Sequence, residues 1–304
     1  CIDSTALNYN PLATVDDSSC VFCIYGCTDS NADNYNSYAT QDDGSCEYQQ
    51  EDHILFFDGN DYIDCGSSNY NDISNTFSYE VLVKPTKSID YPAQVHIPPY
   101  NYSGGNQNYI IFPELHYGNY YGSGLSVGNN ALHVFEHGGG YLYPQLSYQF
   151  NQIIDDYIHI SIVYNNSIPS LYINGEYIMD GNASGAQTVP SCYIGGNVQH
   201  PDYTWTFYEG LLKVYTIWDH ANLSNDIKNL NGDEVGLIGL WNSNYVNENM
   251  IYDLSSNSNH GMIYGVNLVE DIYGCTDSDA DNYNSNANSD DGSCIYPNNG
   301  DYSL

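Results

Sequence analysis

Nine cysteines punctuate the chain, at positions 1, 20, 23, 27, 46, 65, 192, 275 and 294. Three pairs repeat one spacing: Cys1 with Cys20, Cys27 with Cys46, and Cys275 with Cys294. The residues between them recur too, in copies that open CIDSTALNYN, CTDSNADNYN and CTDSDADNYN, so the chain contains an internal repeat. About twenty residues with few apolar side chains cannot bury a core, and a unit of that size needs a staple. A disulfide closing such a loop supplies about 3 kcal/mol in the chain-entropy model. Zinc is the rival use of paired cysteines, but these pairs lack the Cys-x-x-Cys spacing and neighbouring histidines that zinc takes. The pairs are therefore read as disulfides, which persist in oxidising compartments: outside the cell, in a periplasm or on a particle surface.

Each copy also carries oxygen donors at fixed places. Asp3, Asp16 and Asp17 in the first copy correspond to Asp29, Asp42 and Asp43 in the second and to Asp277, Asp290 and Asp291 in the third. Hard oxygens of this kind suit calcium, and ring closure gathers like charges that a cation would relieve. The competing reading is that Asp and Asn cap turns through their own backbone and bind nothing. The run Asp277, Asp279, Asp281 imitates the start of an EF-hand loop without its turn glycine and terminal glutamate, so it is not one.

Three cysteines stand outside the pairs. Cys65 ends one strand-like phrase and Cys192 opens another, which makes a Cys65–Cys192 bridge the favoured fourth disulfide. Cys23 is then the odd thiol, available for an intermolecular bridge, buried, or part of a different pairing.

Charge narrows the partners. Thirty-eight acidic residues face four lysines and no arginine, a formal charge of -34. Binding phosphate needs clustered Lys and Arg, so nucleic acid and anionic membranes are excluded as expected partners, while divalent cations would offset the self-repulsion. Thirty-three tyrosines supply amphipathic surface of the kind found where proteins recognise other molecules. No apolar run approaches the ~20 residues that cross a bilayer. The opening at Cys1, without an initiator Met or an apolar leader, suggests a processed or truncated product.

Positioning these residues falls to the elements between the repeats. HILFFDG, TFSYEVLVK, YIHISIVY, SLYINGEYI, CYIGG and TWTFYEGLLKVYTIW alternate at period two between Gly, Asn and Pro turns, and only residues 220–230 read as helix. The expected fold is all-β: a two-sheet jelly-roll sandwich flanked by small disulfide-stapled repeat modules, with repeats at 1–22, 23–50 and 271–304 around a sandwich at 51–270. Residues 90–121 form a long aromatic loop, in which Tyr100, Tyr102, Tyr109, Tyr117, Tyr120 and Tyr121 could stack on sugars, meet a neighbouring subunit or simply cover the sandwich. Asn101, Asn165, Asn182 and Asn222 stand in N-glycosylation sequons.

Two resemblances follow from these phrases. The repeats resemble the GCTD-x-x-A-x-NYN-x-x-A-x-x-DDGSC cassettes of secreted, multi-module surface proteins of marine bacteria and large viruses. LFFDGNDYIDCG, SYEVLVKPT, YIHISIVYNN, SLYINGEYI, YIGGN and YDLSSNSNHGMIYG resemble, in order, the laminin-G-like or concanavalin-A-like jelly roll. That second resemblance implies oxygen ligands for calcium near Asp58, Asn60 and Asp61. It also implies an acidic pair where this chain has Leu212 and Lys213, and a tryptophan where it has Tyr157, with His159 as a buried structural residue. Related folds host glycosidases, but the Glu-x-Asp-x-x-Glu strand they use is missing; Glu176 and Asp180 stand without a third acid. Nucleophile-elbow, phosphate-loop and metalloprotease motifs are missing as well. The sequence thus points away from an enzyme, toward a structural or adhesive surface protein that self-associates through its terminal repeats, or a lectin-like module for glycans with the repeats as spacers.

Overall fold

Alternating β-branched and aromatic residues build strands throughout the span between the repeats. The structure, a computed structural model, describes the chain apart from residues 31, 48–52, 67–69, 71, 94–105, 115–119, 139–143, 197–206, 225 and 297–304. In order the strands are β1 His53–Asp58, β2 Tyr62–Asp64, β3 Phe77–Pro85, β4 Tyr109–Phe112, β5 Tyr120–Val127, β6 Ala131–His137, β7 Leu146–Gln149, β8 Ile158–Asn165, β9 Ile168–Ile173, β10 Glu176–Asp180, β11 Gln187–Pro190, β12 Tyr193–Ile194, β13 Glu209–Trp218, β14 Leu237–Asn247, β15 Met250–Asp253, β16 Gly261–Tyr264 and β17 Asn267–Glu270. Two short strands, β18 Tyr273–Gly274 and β19 Ser289–Asp290, belong to the third cassette.

Hydrogen bonding passes through all of β1 to β17, folded into two layers. One layer runs β10–β9–β8–β3–β13, with β1 beside the first half of β13 and β17 beyond β1. The other runs β16–β2–β12–β4–β5–β6–β7, with β11 parallel to β5 and the rest antiparallel. Strand β14 joins the layers: Leu237 to Asn242 pair with β13, and after a register shift Val246 and Asn247 pair with β15, which continues to β16. Strands that change layer through an irregularity make the corners of such sandwiches.

Period two decides what faces inward. Tyr79, Val81 and Val83 of β3 meet Ile160 and Ile162 of β8 and, from the opposite layer, Ile63, Ile111, Leu125 and Val134, all fully buried. The Tyr215 and Trp241 rings stack at 5.3 Å where β13 turns over to β14. Burying each aliphatic side chain of this kind contributes about 1.5–3 kcal/mol.

Strand β3 is buried on its outer face as well, because residues 219–236 strap across Ser78, Glu80 and Leu82. Here the expected helix over 220–230 is corrected: among the described residues its one helical element is the single 3-10 turn Ile227–Asn229, capped by Asp226. The physical reason is competition from the sheet. Ser78 Oγ donates to the His220 carbonyl and accepts from Asn222 N, while Ser224 N donates to Glu80, so the strap's backbone is committed to β3 before a helical ladder can close.

Residues 1–50 form one compact unit and residues 51–304 another, so the third cassette packs as part of the sandwich unit. All three cassettes are closed as their spacing predicts: Cys1–Cys20, Cys27–Cys46 and Cys275–Cys294 are disulfides with Cα atoms 4.7, 4.7 and 4.8 Å apart. The second and third share one ladder. Ile24 N donates to Thr40 Oγ1 at 3.0 Å as Ile272 N does to Asn288 Oδ1 at 2.9 Å, and Tyr25 bridges Gln41 as Tyr273 pairs with Ser289. At the turn before the second cysteine, Gly44 and Gly292 take φ of 75° and 72°, and Ser18 of the first copy takes 60° with a side chain that disfavours it.

The fourth bridge is not formed. Continuing the β2–β12 register sets Cys65 beside Cys192, with Cys65 N donating to the Cys192 carbonyl, but both remain thiols. Burial pushes both thiols up in pKa. Cys23 is a half-buried thiol whose Sγ lies 3.1 Å from Gln41 Oε1.

Candidate functional site

Position 213 is the entry to the site. A lysine between Leu212 and Val214 sits where β13 shifts register against β3, so its side chain leaves the outer face of the sheet. Lys213 Nζ donates to Asp271 Oδ2 at 2.6 Å and to Ser289 Oγ at 2.9 Å, and Ser289 Oγ also donates to Asp271 Oδ1. The ammonium lies 4.5 Å from the Tyr157 ring centre and 5.0 Å from that of Tyr273, a cation between two aromatic faces. Burial pulls the lysine's pKa down despite its partner. Burial also pushes the Asp271 carboxyl up, but the bonds from Lys213 and Ser289 outweigh it and hold the acid ionised below its ordinary range. Lys84 Nζ adds a contact to the Asn288 carbonyl at 3.4 Å. These contacts seat the third cassette on the outer face of the first layer.

A cleft of about 320 Å³ opens beside this lock. Its floor is Leu82 and His159; its sandwich wall carries Asp156, Tyr157 and Asn174; the strap adds Asp226 and Lys228; and the cassette adds Tyr273 and Asp290. Tyr273 is 58% exposed, so the ring that covers Lys213 still offers apolar surface to solvent. Asp156 Oδ1 is buried in the wall with no hydrogen-bond donor among the described residues.

Below the floor lies a buried carboxylate. Glu80 accepts from His159 Nε2 and Ser161 Oγ, both at 2.8 Å, from Ser224 Oγ and N at 3.0 Å, and from Trp218 Nε1 at 3.0 Å. Burial raises this acid, but the donors, His159 first, pull it below its ordinary value. Serine, histidine and glutamate meet here without forming a nucleophilic relay. A relay sets the hydroxyl and the carboxylate on opposite imidazole nitrogens, whereas Ser161 and Glu80 share Nε2, and Ser161 is fully buried.

The remaining sequence-predicted residues fall elsewhere. The cassette aspartates form turns: Asp3 accepts from Thr5 N, Asp16 from Ser18 N, Asp42 from Gly44 N, Asp277 from Asp279 N and Asp290 from Gly292 N, with Asp29 at the matching place in the second copy. Asp17, Asp43 and Asp291 accept from Ser19, Ser45 and Ser293 N. At the Asp58–Asn60–Asp61 rim, Asp61 is buried and its Oδ2 takes the Asp58 amide at 2.7 Å; burial raises its carboxyl, and the neighbouring Asp58 charge adds to the rise. Among the described residues no three His, Cys, Asp or Glu side chains are grouped to hold a metal.

Tyr109 is buried, packed edge-on against Phe112 and Phe135 at 5.5 Å, so it covers the second layer and presents no stacking face. Tyr120 and Tyr121 are half-buried in β5; Tyr100, Tyr102 and Tyr117, with Asn101, lie outside the described residues. Asn165 and Asn182 are exposed and Asn222 is half-buried. In the sequence Tyr157, His159 and Lys213 stand out only as departures from the family pattern or as core residues. One signal was available: a lysine inside an otherwise apolar strand of a chain with four cations.

The fold and the family agree. Residues 57–228 match the concanavalin A-like lectin/glucanases superfamily, more than half of the chain. The chain belongs to that superfamily. It is similar in structure to a candidate carbohydrate binding protein from Bacteroides ovatus, at 15% identity and a TM-score of 0.48 over 78% of this chain and 65% of that one. It is also similar to a native heptameric SAP-like pentraxin from Limulus polyphemus, at 12% identity and a TM-score of 0.42 over 71% and 94%. A third similar structure is domain 4 of AbnA, a GH43 extracellular arabinanase from Geobacillus stearothermophilus, in complex with arabinotriose, at 13% identity and a TM-score of 0.38 over 63% and 80%. The chain thus spans a little under two thirds of the length of the Bacteroides ovatus protein. No curated protein matches the sequence.

Proposed function

We propose that the protein is a non-enzymatic, lectin-like module of an extracellular surface protein and that the cleft beside Lys213 binds carbohydrate. The observation that carries this reading is an exposed aromatic ring, Tyr273, lining with the side chains of Asp156, Asn174 and Asp226 a cavity the size of a small ligand site. Sugar hydroxyls are donors to carboxylates and amide oxygens of this kind, and the apolar face of a pyranose stacks on a tyrosine ring. Asn174, Asp226 and His159 complete a set of amide, carboxylate and imidazole groups that can both donate and accept. Three disulfides favour an oxidising, exported setting.

A glycan array probed with the full chain tests the reading. Retention of at least one glycan, weakened by Asn174→Ala and by Asp226→Ala, is the expected result; an array with nothing retained removes it. A second reading, self-association through the terminal cassettes, is favoured by the apolar side chains that residues 1–50 leave open: Leu12 is 88% exposed, Val15 77% and Tyr38 79%.

A further inference from the structure

We infer that the third cassette is one half of the binding site, that Lys213 is the residue positioning it there, and that the resulting cleft selects an uncharged sugar over an acidic one. This rests on the carbohydrate reading above.

The comparison between cassettes carries the first step. Laid on the third cassette through their shared ladder, residues of the second that match the cleft-facing pair Tyr273 and Asp290 are Tyr25 and Asp42, so that pair is common to both. Residues that match the docking pair Asp271 and Ser289 are Cys23 and Gln41, neither of which can make an ion pair with an ammonium. What distinguishes the third cassette is thus the means of attachment. Its attachment point, Lys213, lies 58 positions from Asp271 and 76 from Ser289, and it bonds to both. The lock and the cleft share residues: Tyr273 covers the ammonium and lines the cavity, and Tyr157 does the same from the sandwich side. A cassette released from Lys213 would take Tyr273 and Asp290 away together and leave an open, one-sided sheet face.

Charge carries the second step. The cleft presents the carboxylates of Asp156, Asp226 and Asp290, while Lys213 is already committed to Asp271. The cationic group left to face a ligand among the described lining residues is Lys228, since His159 Nε2 is bonded to Glu80. A uronate or sulfated sugar would bring a further negative charge into this excess and leave it poorly paired, whereas a neutral sugar meets acceptors for its hydroxyls.

The test uses the full chain with neutral, uronate-bearing and sulfated glycans, comparing the parent with Lys213→Met, Lys213→Arg and Tyr273→Ala. Tyr273→Ala alters an exposed ring, so it reports on the cassette wall without removing the lock's ion pair. Expected are binding to neutral glycans alone, a loss of affinity of at least about tenfold in Lys213→Met and Tyr273→Ala, and retention within about threefold in Lys213→Arg, which keeps the ion pair and the aromatic contacts. Unchanged affinity in both Lys213→Met and Tyr273→Ala, with loss in Asn174→Ala, would overturn the cassette's role while leaving the carbohydrate reading intact. Preference for acidic glycans would overturn the charge argument, and an array with nothing retained would remove both proposals.

Discussion

A carboxylate with no exposure and five hydrogen-bond donors is the most constrained residue of the site. Glu80 collects His159, Ser161, Ser224 twice and Trp218, binding β3, β8, β13 and the strap at one point. Replacing it by alanine strands those donors in the interior, so Glu80→Ala is expected to cost about 3–5 kcal/mol, read from urea denaturation. A change below about 1 kcal/mol would show that water reaches the network. The pH dependence has a definite sign. Because the folded state holds this carboxyl below its ordinary value of 4.5, its contribution is complete above that value and is lost as pH falls through the lower folded pKa. Stability of the parent should therefore drop on the acid side, more steeply than that of Glu80→Ala. Little of this was legible in the sequence, where SYEVLVK reads as an alternating strand with a solvent-facing glutamate. Burial of that face depends on a strap 140 or so positions away, and period two does not report what covers a face.

Among elements, the cassettes and the strands were legible for the same reason: each is specified locally. A cysteine spacing repeated three times fixes its own loop, and alternation fixes which side of a strand is apolar. What the sequence left hidden is the joining of elements. The strap reads as helical because Leu223, Ile227 and Leu230 recur at helical spacing, and the seat of the third cassette depends on one lysine meeting residues far along the chain. That seat predicts unequal dependence on the staples. The described residues of 1–50 bury little apolar side chain beyond their cysteines, Ala6 and Ala32, so reduction should unfold the unit. The third cassette keeps its ion pair, its aromatic contacts and its Lys84 contact when the disulfide is cut. Hydrogen exchange in dithiothreitol should thus show loss of protection across residues 1–47, partial protection at 272–289, and full protection in β3, β8 and β13. Equal protection in all three cassettes would contradict the lock.

For the whole molecule the governing quantity is a formal charge of -34 spread over 304 residues with four cations. Self-repulsion on that scale opposes any contact between copies at low ionic strength and is screened over about 10 Å at 0.1 M salt. The exposed Leu12, Val15 and Tyr38 pull the other way, since apolar surface of this kind gains by being covered. Self-association through residues 1–50, proposed above, must then strengthen with salt, the reverse of an association driven by opposite charges. Sedimentation velocity from 10 mM to 500 mM sodium chloride is expected to show a rising share of larger species, abolished by Leu12→Asp with Val15→Asp. Calcium, proposed from the oxygen-rich cassettes, adds a separable arm: at matched ionic strength it should exceed sodium only if the cassette aspartates leave their turns to bind it. A single monomeric boundary under every condition would show that the open apolar residues are tolerated singly, and would leave glycan binding as this module's sole proposed contact.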